Sequence, residues 1–322
     1  MSTPTLQPAE TNFASAGLGA FGVFGLAVVL LAIAPLAIYP VFLMQALCFA
    51  LFACAFNLLL GYGGLLSFGH AMFLGSAGYV CAHAVKEWGV EPLTAILLGV
   101  ASAAIIGLVT GALAVRRQGI YFAMITVAFS QMIYFYCLQA RFTHGEDGIT
   151  NVAPGKLLGL VPLSSSASMY CFVLAISLFG FLLIYRTINS PFGDVLKAIR
   201  ENEPRAISLG YRVDQYKLAA FVMSAALAGL AGAVKALVTQ NASLTDVSFS
   251  TSGEVVLMTL LGGMGTLSGP VVGAFLIVFM KYYLSGYGQW VTVIQGLIFV
   301  ACVLLFRRGV IGELARLTKR SL

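Results

Sequence analysis

The sequence predicts an all-α integral membrane protein of about ten transmembrane helices (range 8–11) with both termini in the cytoplasm. Three observations carry this. Of 322 residues, 60% are hydrophobic and only 9% are charged, against about 25% charged in a soluble domain. The charges are clustered, with no Asp, Glu, Lys or Arg between Thr11 and Val85. The apolar stretches have no polar face, unlike the core helices of a soluble protein.

A membrane helix needs about 20 mostly apolar residues. Its backbone must be hydrogen-bonded internally, which selects helices. The apolar runs place spans at 18–34, 36–60, 66–85, 93–115, 119–138, 168–186, 217–238, 254–267, 269–285 and 289–306. Pro35 and Pro40 separate the first two spans, and Pro92 opens the fourth, where its missing N–H costs least. The chain divides into an N-terminal tail (1–17), a transmembrane domain (18–306) with its main cytoplasmic loop at 187–216, and a C-terminal tail (307–322). Thirteen of the 18 basic residues fall at 116–117, 186–217 and 307–320. Placing these segments inside the cell satisfies the positive-inside rule. The same rule accounts for the net charge of +6 without nucleic acid as a partner. The six cysteines, Cys48, Cys54, Cys81, Cys137, Cys171 and Cys302, all lie in apolar segments and read as packing residues. The N-terminus lacks a basic n-region and does not read as a cleaved signal peptide.

Leu59 to Ser67 (LLGYGGLLS) echoes Leu260 to Ser268 (LLGGMGTLS), six matches in nine. The echo reads as a possible internal repeat, and glycine-interrupted segments in corresponding places can mark a substrate path. Glycines at 61, 63 and 64 permit exposed backbone, and a re-entrant hairpin there would alter the span count. Such backbone is tolerated only where it faces protein or a water cavity. Asn57, Gly63, Gly64, Ser67 and His70 are therefore path candidates, with Thr126 and Gln131 in the fifth span. Simple close packing is the competing reading for each. Gly265-x-x-x-Gly269-x-x-x-Gly273 and the faces Ala225/Gly229 and Ala228/Gly232 read as small-residue packing surfaces.

The stretch from Asn189 to Lys217 is the longest polar segment assigned inside. Ser190 and Pro191 form an N-cap followed by Pro at the first helical position. Val195, Leu196 and Ile199 make an apolar stripe. Pro204 starts a second short helix that Gly210 can end. Such a pair can lie on the membrane or dock in a partner's groove. Outside, the loop from Arg141 to Pro154 presents His144, Glu146 and Asp147, either as a contact for another protein or as solvated residues. One histidine beside two acids is poor ligand spacing, so no metal site is expected.

Several stretches in combination carry a family resemblance. They are Phe192-Gly193-Asp194, Ile199-Arg200-Glu201-Asn202-Glu203 and Ala206-Ile207-Ser208-Leu209-Gly210 in the loop; Asn57 to Ala71; Gly119 to Thr126; Gly145 to Ile149; Leu260 to Pro270; and Arg307 to Gly312. Over nearly the whole chain beyond residue 30, the sequence resembles the branched-chain amino-acid ABC permeases of the LivM type. The resemblance implies that Arg200, Glu201, Glu203, Pro204, Arg205, Ala206, Leu209 and Gly210 dock an ATPase. It implies two ATP-binding subunits, which would carry ATP and Mg, a homologous LivH-like permease, and a periplasmic binding protein met by His144, Glu146 and Asp147. It also implies a bacterial inner-membrane location and transport of Leu, Ile and Val. A urea or short-amide permease of the same superfamily is the alternative, and an ion-coupled carrier or channel is the alternative of a different class. No phosphate-binding loop occurs, since Gly155-Lys156 is followed by Leu157. The chain is thus expected to bind no cofactor and to be no enzyme. No carboxylate is expected deep in a span, which speaks against proton coupling.

Overall fold

The computed structural model describes residues 31–284 apart from 32, 37, 158–160 and 164, together with isolated positions between 286 and 309. Ten α-helices are described: α1 (Pro40–Asn57), α2 (Ala71–Lys86), α3 (Pro92–Ala114), α4 (Ile120–Gln139), α5 (Ser166–Ile188), α6 (Pro191–Glu201), α7 (Glu203–Ser208), α8 (Val213–Thr239), α9 (Phe249–Gly262) and α10 (Ser268–Leu284). A π-helical turn, Leu58–Tyr62, extends α1. Proline opens α1, α3 and α6, where the fixed φ suits the first turn and no intrahelical N–H is lost.

Among the described residues five helices are long and apolar enough to cross a membrane: α1 with its π turn, α3, α4, α5 and α8. The expected first span at 18–34 falls almost entirely outside the described residues, and the last, at 289–306, is described only at isolated positions. One expected span is shorter than predicted: the third begins at Ala71 and not at residue 66. The helices α9 and α10 cover 14 and 17 residues, as long as the spans expected at 254–267 and 269–285, but α9 starts and ends five residues earlier. At 1.5 Å per residue, α9 is about 21 Å long, short of a hydrocarbon core about 30 Å thick. Non-helical backbone at 63–70 and 263–267 follows α1 and α9. Because α9 starts at Phe249, Glu254 lies in its second turn. It is paired with Lys281, in the last turn of α10, at 2.6 Å.

The bundle is organised around α8, which packs against α1, α2 and α3. Small residues set the spacing. A Cβ at Gly232 would lie 1.9 Å from the Leu74 carbonyl oxygen, one at Gly229 would lie 2.4 Å from Ala103 Cβ, and one at Gly107 would lie 2.5 Å from Ala225 Cβ. The α9–α10 pair is equally close: a Cβ at Gly273 would meet the Met258 carbonyl at 1.9 Å. These contacts support the packing reading of the small-residue faces, since dispersion and backbone proximity hold helices together where water supplies no hydrophobic drive. Among the described residues Cys48, Cys54, Cys81 and Cys137 are free and buried, and Cys171 is free and exposed. Cys302 lies outside the described residues.

Helix alternation defines two ends. At one, two-residue strands β1 (Ile149–Thr150) and β4 (Asn241–Ala242) pair antiparallel, and Lys86 Nζ donates to the Thr150 carbonyl at 3.0 Å. Two further short strands, β2 (Lys156–Leu157) and β3 (Val161–Pro162), pair at 156–162. At the other end lie α6, α7 and the turns after α1 and α9.

Replacing Gly232 with valine is expected to destabilise the bundle by about 1–3 kcal/mol through overpacking, and more where the Leu74 backbone cannot retreat. Thermal unfolding of the purified protein in detergent measures this. A midpoint equal to the parent's would show that α2 and α8 are not in backbone contact.

Candidate functional site: two glycine breaks and a docking surface

The first break follows the π turn. Gly64 takes φ +68°, a conformation that favours glycine. The Gly64 N–H donates to the Leu60 carbonyl at 3.2 Å and the Leu65 N–H reaches back to Leu59 at 3.1 Å. Beyond them, hydroxyls from other helices substitute for the missing ladder. Phe68 N–H donates to Thr126 Oγ1 (3.2 Å) and Ala71 N–H to Ser252 Oγ (3.0 Å), while Gly69 N–H meets Ser67 Oγ at 3.4 Å. A Cβ on Gly69 would fall 2.3 Å from the Thr126 carbonyl oxygen, so this irregular segment lies directly on α4.

The second break, between α9 and α10, has Gly263 and Gly265 at φ +116° and +80°. Gly64 and Gly265 occupy the same place in the nine-residue echo, and both take the left-handed conformation. The two breaks touch. Asn57 Nδ2 donates to the Thr266 carbonyl at 2.8 Å, and its Oδ1 accepts from Gly265 N–H at 3.1 Å. A Cβ on Gly61 would stand 2.2 Å from Asn57 Oδ1 and 2.8 Å from Gly265 N. Gly309 closes the cluster: its own Cβ position is 2.5 Å from Gly263 Cα.

The path candidates divide. Asn57, Gly63, Gly64, Ser67 and Thr126 gather around the first break. A cleft of about 430 Å³ opens between this break and the start of α4, lined by Gly64, Leu65, Leu66, Phe68, Ile120, Met124 and neighbours. Ser67 and Thr126 are buried behind it. His70 is fully buried beside Phe52, Phe56, Phe73 and Phe221, with ring centroids 5.1–6.4 Å away. Its Nε2 lies 2.8 Å from Ser224 Oγ. Ser224 donates its own proton to the Ala55 carbonyl, so Nε2 carries the hydrogen and this chain of bonds joins α1, α2 and α8. Gln131 lies farther along α4 and is half-buried. Sequence reasoning missed Ser224, Ser252 and Thr266. Lone hydroxyls in apolar helices most often bond back to their own turn, so nothing in the pattern marks the ones that bridge.

At the same end, Ser190 Oγ accepts from Gly193 N–H at 3.4 Å and Asn202 Oδ1 from Arg205 N–H at 3.1 Å, capping α6 and α7. Leu196, Ile199 and Ala206 are buried, and Phe192 stacks on Tyr216 at 5.6 Å. Glu203 is paired at 2.6 Å with Lys217, which is only 4% exposed. Arg200 donates to the Gly61 carbonyl. Arg200, Glu203 and Ala206 thus engage the membrane domain. Glu201, Pro204, Arg205, Leu209 and Gly210 are exposed, joined by Ile207 and Tyr211. Ile207, Leu209 and Tyr211 are 57%, 70% and 41% exposed, an apolar group on a polar segment. At the opposite end His144, Glu146 and Asp147 are exposed, with His144 at φ +59°.

This architecture defines a multi-pass membrane protein built on broken helices, with a structured loop gripping the breaks. A family model for the branched-chain amino acid transport system / permease component matches residues 38–306, and the chain belongs to that family. It is 25% identical over 278 residues to the high-affinity branched-chain amino acid transport system permease protein LivM of Escherichia coli K12, covering 79% of this chain and 65% of that protein. It is 26% identical over 200 residues to the probable LivM permease of Methanocaldococcus jannaschii (60% and 57% covered) and 27% identical over 236 residues to the ribose import permease RbsC of Bacillus subtilis (68% and 70% covered). The chain spans about two thirds of the length of its Escherichia coli relative. No solved structure matches it.

Replacing Asn57 with leucine strands the Gly265 N–H and the Thr266 carbonyl. Each unpaired buried group costs about 1–3 kcal/mol. The expected result is a lowered unfolding midpoint in detergent, larger than for Gln131→Leu; equal midpoints would show that Asn57 does not join the breaks.

Proposed function

We propose that this chain is the permease subunit of a bacterial ATP-driven importer of Leu, Ile and Val in the inner membrane, with both termini cytoplasmic. It forms the path with a homologous, LivH-like permease. Two ATP-binding subunits dock on the exposed face of α6, α7 and the turn to α8, and a periplasmic binding protein delivers substrate at the end that bears His144, Glu146 and Asp147. The observation that carries this reading is the exposed apolar group Ile207, Leu209 and Tyr211, flanked by Arg205 and Arg212, on a loop whose other face is bonded to the membrane domain. Apolar side chains held out of both membrane and core suit a groove on a partner. The cleft between the first break and α4 supports a path there, because non-helical backbone at membrane depth is tolerated beside a cavity. Substrate class rests on the family, whose relatives include one named for ribose import; urea or short amides are the second choice.

Radiolabelled leucine uptake into vesicles holding the chain with its partners is expected to require internal ATP and to survive collapse of ion gradients. Uptake driven by a gradient alone would overturn the reading. Within that assay Gly210→Pro is expected to cut uptake at least about tenfold, equivalent to ~1.4 kcal/mol, with membrane insertion unchanged. Gly210 has φ +88°, which proline, fixed near −65°, cannot adopt. Arg205→Glu is expected to act in the same direction. Full uptake by both inserted variants would remove the docking assignment.

A further inference from the structure

We infer that Arg200 is a positioning residue that ties the docking helices to both glycine breaks, so that movement of α6 is delivered to the breaks. This rests on the reading of α6 and α7 as the ATPase-docking element. It gives Arg200 a role different from a docking contact.

The geometry is specific. Leu196 and Arg200, four residues apart, share one face of α6. Leu196 Cδ1 lies 3.8 Å from the position a Cβ would take on Gly63. The Arg200 stem runs along Gly64, with Cγ, Cβ and Cα 3.0, 3.5 and 3.8 Å from that residue's Cβ position. The guanidinium then donates to the Gly61 carbonyl, and the same Nη1 lies 3.8 Å from the Cβ position of Gly265 in the second break. One side chain therefore spans both breaks at the point where Asn57 joins them.

The Gly61 carbonyl needs such a partner. In a continuing α-helix it would accept from the N–H of residue 65. The π turn diverts the Leu65 N–H to the Leu59 carbonyl. The freed oxygen sits at the negative end of α1, where a cation is favoured, and a charge-assisted bond is about twice as strong as a neutral one. Among the described residues Arg200 makes no ion pair with a carboxylate. Arg200 is itself exposed at the edge of the outward face, which also carries Pro204, Arg205, Ile207, Leu209 and Tyr211.

The test uses the full complex of permeases, ATPases and binding protein in lipid nanodiscs. Cysteine reporters are placed singly at Leu209, on the docking face, and at Met264, 51% exposed in the second break, with Cys171 and Cys302 replaced by serine. Maleimide labelling rates are compared with and without ATP and vanadate. In the parent both rates are expected to respond to nucleotide. In Arg200→Ala the response at 209 is expected to persist, while that at 264 falls to within twofold of no change and ATP hydrolysed per leucine imported rises at least tenfold. Arg200→Lys keeps the charge without the fork and is expected to give an intermediate response at 264; it also serves should the alanine variant fail to assemble. A full parental response at 264 in these variants overturns the inference. So does loss of the 209 response, which would make Arg200 a docking residue. No response at 209 even in the parent would sink the docking reading itself, and the inference with it.

Discussion

Every backbone N–H and C=O at membrane depth has to find a partner inside the protein, and the rest of this structure follows from that requirement. For most of its length the chain meets it by forming helices. Where α1 and α9 stop short, it meets it with side chains. Thr126 and Ser252 serve the first break and Asn57 the second, with local bonds from Ser67 and Thr266 inside the breaks themselves. The bonds of Thr126, Ser252 and Asn57 cross between elements, so satisfying the backbone also fixes how α1, α2, α4 and α9 lie against one another.

The breaks are side by side for a steric reason. Gly61 leaves no Cβ between Asn57 and the Gly265 N–H, and Gly309 leaves none against Gly263. Glycine here serves approach and left-handed conformation together. The result is a junction of main chains that no regular helix crossing would produce. It lies under α6, which carries one apolar face inward and leaves the next turn of the loop exposed. The polar loop and the apolar bundle thus meet at backbone, and what passes between them passes through a few named groups.

Much of the fold was legible. The apolar runs located every described membrane helix, proline marked the starts of α3 and α6, and glycine and alanine spacing marked the faces of α8 and α10. The start of α2 and the end of α9 were not legible, because Leu65, Leu66 and Leu267 are as apolar as any helical residue and composition does not distinguish irregular backbone from helix. The candidate site was legible in part. Asn57, Ser67 and Thr126 drew attention as polar groups in apolar surroundings, but so did His70, which an aromatic shell and Ser224 hold in the core. In the loop, sequence pattern identified α6 and α7 but could not divide their faces: Arg200 and Glu203 look as solvent-seeking as Glu201 and Arg205, yet Glu203 pairs with Lys217 and the exposed Arg200 reaches the Gly61 carbonyl.

The sequence by itself determined that this is a polytopic membrane protein, where its helices run and which segment is polar, because hydropathy and proline or glycine content act locally. Its likeness to a permease family was also written there, in stretches that were specific only in combination. Only the tertiary structure decided that the two echoed glycine segments meet, that Asn57 joins them and that Arg200 faces them. Those contacts unite residues some 140 to 209 positions apart, and a hydrogen bond between distant positions leaves no periodicity to read; it exists only once the helices around it have packed.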